Sequence, residues 1–369
     1  MKRGTTVILL AVLLLLPCAG LAGGTWYTVT DAADAGSLTP PSDEFSGTVA
    51  LTFLGDCTLG GETKTARSPL GFARRIEENG MGFPLQGLLA LTGEDDLTVA
   101  NLEGVLTDRK LKKEKKQFNF SGPTAYTEIL TRGSVECVTI ANNHSHDYGE
   151  EGYADTKQAL EAAGICWFGT DAPAFWESPE GVRIGFLGVN YSLTGNRYKR
   201  FAQQADQLRD LGCAAIITVM HAGTEYSYNP PDSYQKQIVD RAVKAGSCLI
   251  VGHHPHVLQG MELAGGVPVV YSLGNCSFGG TTYAKDSDAL VLRAELSFEE
   301  GQLSGIRLTF YPISITSDSR HNNYSPVLLT GEEAEQVLGK MRDSTGVDPG
   351  ERNADGSATV TVAVPETAR

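Results

Sequence analysis

No pair of cysteines in this sequence is spaced as CxxC, although the chain carries seven. That spacing is what closed thiolate zinc sites are built from, so a purely structural zinc site of that kind is excluded. Cys137, Cys213 and Cys248 sit in apolar, strand-like runs. Buried free thiols are the simpler expectation, with three disulfides among the six cysteines after Cys18 as the alternative. Positive charge is also scarce. Thirty Lys and Arg face 44 Asp and Glu, for a net charge of −14 and an isoelectric point near 5.0. A chain so acidic has no domain-wide basic face, which excludes nucleic acid as a partner.

Long apolar runs are lacking beyond the N-terminus. Lys2 and Arg3 precede Val7–Leu16, too short to span a bilayer comfortably, and small residues follow at Ala19, Gly20 and Ala22. This pattern predicts a secretory signal peptide over residues 1–22, cleaved after Ala22, and an exported product that is extracellular or held at the cell surface. A lipoprotein built on Cys18, which Pro17 fits poorly, and an uncleaved N-terminal anchor are the alternatives. Residues 23–46 are rich in small and polar residues and end in Pro40-Pro41-Ser42-Asp43, the composition of a flexible tether.

Within a domain read as residues 47–320, strands alternate with helices across 48–275, the pattern of an α/β layered core, and two strands with little helix between them follow, Ala289–Phe298 and Ile306–Tyr311. Expected strands include Thr48–Leu54, Asp96–Ala100, Val135–Ile140, Val182–Val189, Ala214–Met220, Leu249–Val251 and Val267–Leu273. Beyond residue 320 the pattern thins to one helix, Glu332–Arg342, and a short Val/Thr run, read as a C-terminal appendage over 321–369.

The polar residues fall at a regular place in this pattern. Asp56, Glu103, Asn143 with His144, His221, and His254 with His256 each follow an apolar strand. In layered α/β proteins the carboxyl ends of the strands line the crevice where ligands bind. Five of the seven histidines lie in two stretches, 138–149 and 251–257, each closing a strand. An apolar strand that ends in imidazole, amide and carboxylate groups (Asn143, His144, His146, Asp147) is costly unless those groups find partners. These donors suit Mn, Zn or Fe, with one or two divalent ions per chain. Two ions bridged by a carboxylate can activate water and neutralise a phosphate in line. An unligated histidine nearby, here His144 beside Asp147, can protonate a leaving group. The run Arg109–Lys116 has six basic residues in eight. Its Lys112, Lys113, Lys115 and Lys116 are candidates for binding an anionic substrate at the rim of the site, against the plainer reading of a solvated loop.

Six motifs occur in order: Gly55-Asp56, Asn101-Leu102-Glu103, Ala141-Asn142-Asn143-His144, His221-Ala222-Gly223-Thr224-Glu225, Gly252-His253-His254-Pro255-His256 and Ser272-Leu273-Gly274-Asn275. Over about residues 48–315 the chain thereby resembles the CapA family of capsule and poly-γ-glutamate biosynthesis proteins, related to the calcineurin-like metallophosphoesterases. The resemblance implies a metallophosphatase-like four-layer α/β/β/α sandwich with a dinuclear metal centre. It implies Asp56 as the first-motif ligand, Glu103 as the bridging carboxylate, and Asn143 as an amide ligand beside His144, which acts on the leaving group. His221, His254 and His256 complete the ligands. Metallophosphoesterases have a histidine where this chain has Thr58, so Glu225 is the candidate to fill the gap. The implied role is a metal-dependent hydrolase of a phosphoester or a polymer amide bond, working beside a membrane-bound capsule synthesis complex. The alternative is a polymer-binding or assembly component that keeps the fold and one ion.

Overall fold

The computed structural model describes residues 17–19, 24–29, 40–229 and 231–364. The expected signal segment and its cleavage site lie outside them, apart from Pro17–Ala19, which pairs antiparallel with Thr25–Thr28.

Two large sheets carry the fold, which is mixed α/β. The eight-stranded sheet has four parallel strands at its centre, Arg183–Val189, Ala215–His221, Leu249–His253 and Val267–Leu273. The ten-stranded sheet is built around the parallel set Gly47–Thr58, Leu97–Leu102, Cys137–Thr139 and Cys166–Phe168. Its other side continues antiparallel through Asp288–Glu299 and Gln302–Ser314.

Strand alternation sends successive side chains to opposite faces, and the packing follows it. Ile217 and Val219 join Leu51, Phe53 and Val99 in the core between the sheets. Their strand neighbours Ile216 and Met220 face outward, against Phe201, Ala205 and Leu208 of helix Gly195–Asp210 and Ile238 and Ala242 of helix Ser233–Lys244. On the outer face of the other sheet, Leu54, Ala100 and Val138 meet Phe72, Ile129 and Leu160, from helices Phe72–Asn79, Thr127–Arg132 and Gly149–Ala162. Helix Ser233–Lys244 starts where Asp232 and Gln235 form a reciprocal capping box, the Asp232 carboxylate accepting from Tyr234 N and Gln235 N at 2.9 and 3.0 Å. Such a cap contributes about 1 kcal/mol.

Two expectations are corrected. Residues 23–46 do not all form a tether, because Thr25–Thr28 pairs with Ala174–Glu177 and Trp26 is fully buried in the central core. One large apolar residue outweighs the polar composition around it. Nor are the described residues 321–364 an appendage. Helix Gly331–Thr345 buries Val337, Leu338 and Met341 in that core, and Ala358–Val362 adds a strand to Gln302–Ser314. Cys57, Cys166, Cys248 and Cys276 are buried free thiols and Cys213 a partly buried one.

Candidate metal centre

Parallel strands share a direction, so their carboxyl ends meet at one edge. Asp56 lies near the end of Gly47–Thr58, Glu103 directly follows Leu97–Leu102, and His221 and His253 close their own strands. Gly55 makes the approach of Asp56 to the neighbouring chain feasible. A Cβ there would stand 2.3 Å from the Gly274 carbonyl oxygen, which accepts the Asp56 N–H at 3.0 Å.

Glu103 decides the character of the site. It is fully buried, yet neither carboxylate oxygen has a hydrogen-bond partner. Around Oε1 stand His221 Nε2 at 3.6 Å, His144 Nε2 at 3.8 Å and His256 Nε2 at 3.8 Å. Buried carboxylates without partners are retained where they are paired or hold metal. His221 Nε2 also lies 2.8 Å from Asn143 Oδ1 and 3.1 Å from His254 Nδ1. Glu103, Asn143, His221 and His254 therefore present their ligand atoms to one another. Asp56, Glu103 and His256 form a second close group, and Glu225, His254 and His256 a third, with ligand atoms within 4.8 Å in each. The donor set fits divalent ions, with Glu103 common to two of the groups.

For His221 and His254 the protonation state agrees with that fit. Burial, then the neighbouring His254, holds His221 well below the usual imidazole range, and burial with His256 lowers His254. Neutral imidazole is the ligating form. Burial opposes a charge on His256, but Glu103, Asp56 and Asn275 outweigh it and raise its pKa to about 10. Asp56 is pulled well below the carboxylate range by His253 and His256 in spite of its burial. Glu103 is pushed far above that range, by burial first and then by Asp56, Glu225 and Asp147. A bound cation inverts this last effect.

The imidazole of His144 stacks on Phe120, ring centres 4.2 Å apart, with Nδ1 2.7 Å from Asp147 Oδ2. Lys116 pairs with Asp147 and donates to the Asn143 carbonyl at 2.7 Å. Of the four candidate lysines it alone touches these residues, while Lys112, Lys113 and Lys115 stand exposed on the same loop. His146 turns away to stack on Tyr153. Thr58 is buried with its hydroxyl unpartnered.

Four further residues belong to the centre. Asn101 donates to Asp56 Oδ1 at 2.7 Å and lies 3.1 Å from His221 Nδ1. Asn142 donates to Asn101 Oδ1 and accepts the His144 N–H. His253 Nδ1 lies 3.4 Å from Asp56 Oδ1, and Asn275 Oδ1 lies 2.9 Å from His256 Nδ1. The signal for all four was their place inside the six ordered motifs.

Residues 50–279 match the family described as bacterial capsule synthesis protein PGA_cap. The chain belongs to this family. Among its relatives, the capsule biosynthesis protein CapA of Bacillus anthracis is 26% identical over 303 residues, 75% of this chain and 70% of that one. The PGA biosynthesis protein CapA of Bacillus subtilis (strain 168) is 28% identical over 275 residues, 68% of this chain and 69% of that one. A probable polyglutamine synthesis accessory protein of Mycobacterium tuberculosis is 24% identical over 209 residues, 49% and 55% of the two chains. Every residue of the centre lies inside the PGA_cap match, from Asp56 to Asn275.

Proposed function

We propose that this chain is an exported, metal-dependent hydrolase acting on an anionic polymer of the poly-γ-glutamate kind, in capsule or polymer synthesis. The single observation that carries the hydrolytic reading is Glu103, buried without a hydrogen-bond partner and faced by three imidazoles. The relatives' names supply the polymer, and Lys2-Arg3 before Val7–Leu16 supplies export. The three hydrophobic clusters support a four-layer α/β/β/α arrangement.

Glu103, Asn143, His221 and His254 would hold one ion, and Asp56, the shared Glu103, His256 and Glu225 a second. Such ions supply Lewis-acid charge and an activated water when bound. The chain's own part is proton handling. Asp147 takes the Nδ1 side of His144, which leaves Nε2 directed toward Glu103 to deliver a proton to the leaving atom. Lys116 balances the charge of Asp147. In amide hydrolysis, water oxygen bonds to the carbonyl carbon, the C–N bond breaks, and the leaving nitrogen takes the proton. A phosphoester would follow the same pattern at phosphorus.

The second reading, a polymer-binding assembly component of a membrane-bound capsule synthesis complex, is favoured by Thr58 where an imidazole ligand is expected. Incubating metal-loaded protein with poly-γ-glutamate and with a phosphoester panel separates the two. New amine ends or released phosphate support the hydrolase; tight binding without either product supports the assembly component.

A further inference from the structure

Tyr226 stands beside the His256 end of the centre. Its backbone has φ of +58°, and its N–H donates to the Pro255 carbonyl at 2.7 Å, tying it to the turn that presents His254 and His256. Those two residues also hold positive φ, +98° and +56°. Non-glycine residues in that region persist only where the surroundings hold them there. The half-exposed Tyr226 ring lies 6.1 Å from the His256 ring, and Lys285 Nζ lies 4.0 Å above its face.

The charge of Lys285 is not used within the described residues, where it has no ion-pair partner. Its acidic neighbours are already engaged. Asp286 accepts from the Tyr228 hydroxyl at 2.9 Å and pairs with Lys340 at 3.2 Å, and Asp288 pairs with Lys340 at 2.5 Å. An ammonium group left free, seated on a fixed ring one residue's breadth from a proposed metal ligand, is arranged for an incoming anion.

We propose that Tyr226 and Lys285 form a carboxylate subsite that grips the acidic group of the polymer unit beside the cleaved bond. This rests on the proposed polymer substrate. The ring fixes where the cation stands, and the cation selects an acidic unit over a neutral one.

The test is titration of a poly-γ-glutamate oligomer into the metal-loaded full chain carrying His144→Ala, so that binding is read without turnover. Lys285→Gln added to it should weaken binding about tenfold at low ionic strength and much less at high salt. Lys285→Arg should restore most of the affinity, and the fully esterified, neutral oligomer should bind both proteins alike. Tyr226→Leu, with metal content measured to confirm that the turn is intact, should weaken binding as Lys285→Gln does. Equal affinity of the Lys285→Gln protein and its parent, in a chain that binds the oligomer, overturns the subsite and leaves the proposed function standing. A parent protein that ignores the oligomer at every salt concentration removes the proposed substrate, and the subsite with it.

Discussion

His144 and Asp147 share one oxygen with the backbone: Asp147 Oδ2 lies 2.7 Å from His144 Nδ1 and accepts the Phe120 N–H at 2.6 Å. The carboxylate is therefore fixed by a peptide group, and it fixes the imidazole in turn. Nδ1 carries the hydrogen, and Nε2 faces the buried Glu103.

Asp147→Asn should preserve this packing but favour the wrong tautomer of His144. Turnover of polymer or phosphoester should fall by about 10²- to 10⁴-fold with metal content unchanged. His144→Ala should behave the same way, whereas His254→Ala should lose metal. Elemental analysis alongside a rate assay checks all three, and loss of metal from His144→Ala would make that residue a ligand instead.

Asn101→Ala should weaken metal binding about 10- to 100-fold, the usual effect of removing a group that orients ligands. Its amide holds Asp56 Oδ1 and lies against His221 Nδ1, so both carboxylate and imidazole lose their bearing. Competition with a chelator measures it. Unchanged affinity would confine Asn101 to packing.

How far the centre could be read from sequence is visible in these two residues. Asp56, Glu103, His221, His254 and His256 were legible because each is a charged or imidazole group closing an apolar strand. Asn101 and His253 were not, because they lie inside strand ends, where a polar residue is hard to tell from one satisfied in the sheet. The strand Val267–Leu273 was read to the residue. Leu258–Ala264 was missed, since Gln259, Gly260 and Glu262 interrupt its apolar pattern while sheet pairing supplies its stability. Trp26 shows the same limit at longer range, because its partners Trp176 and Phe186 are distant in sequence. The CapA resemblance, in contrast, needed the order of six motifs and no single periodicity.

Neutralising Lys112, Lys113, Lys115 and Lys116 together should weaken binding of anionic polymer at low salt, with Lys116→Gln alone accounting for most of the loss. Only Lys116 lies against Asn143, His144 and Asp147, and exposed charges act weakly beyond a Debye length of about 10 Å. Titration at two ionic strengths distinguishes this from a solvated loop, for which affinity would not change.

Away from the centre, Glu136 is buried at the start of Cys137–Thr139. Desolvation raises its pKa from 4.5 to about 7, although it accepts the Thr98 N–H at 2.7 Å. Because the folded protein holds this proton more tightly than the unfolded chain, its contribution is complete below about pH 4.5 and is lost as pH rises through 7. Glu136→Gln should flatten that decline, seen as urea midpoints that vary less between pH 5 and 8 than in the unmodified protein. An equally steep decline in the variant would assign it to other groups.

Metal content of the purified chain tests the proposed centre most directly. In the proposed centre Glu103, Asn143, His221 and His254 would supply four ligands, while the other position would lack an imidazole at Thr58. Elemental analysis after dialysis should find about one tightly held divalent ion per chain, the second exchanging, and Glu103→Gln should retain neither. A Glu103→Gln protein that keeps as much metal as the unmodified chain, or an unmodified chain that binds none when metal is supplied, would contradict a centre built on that carboxylate.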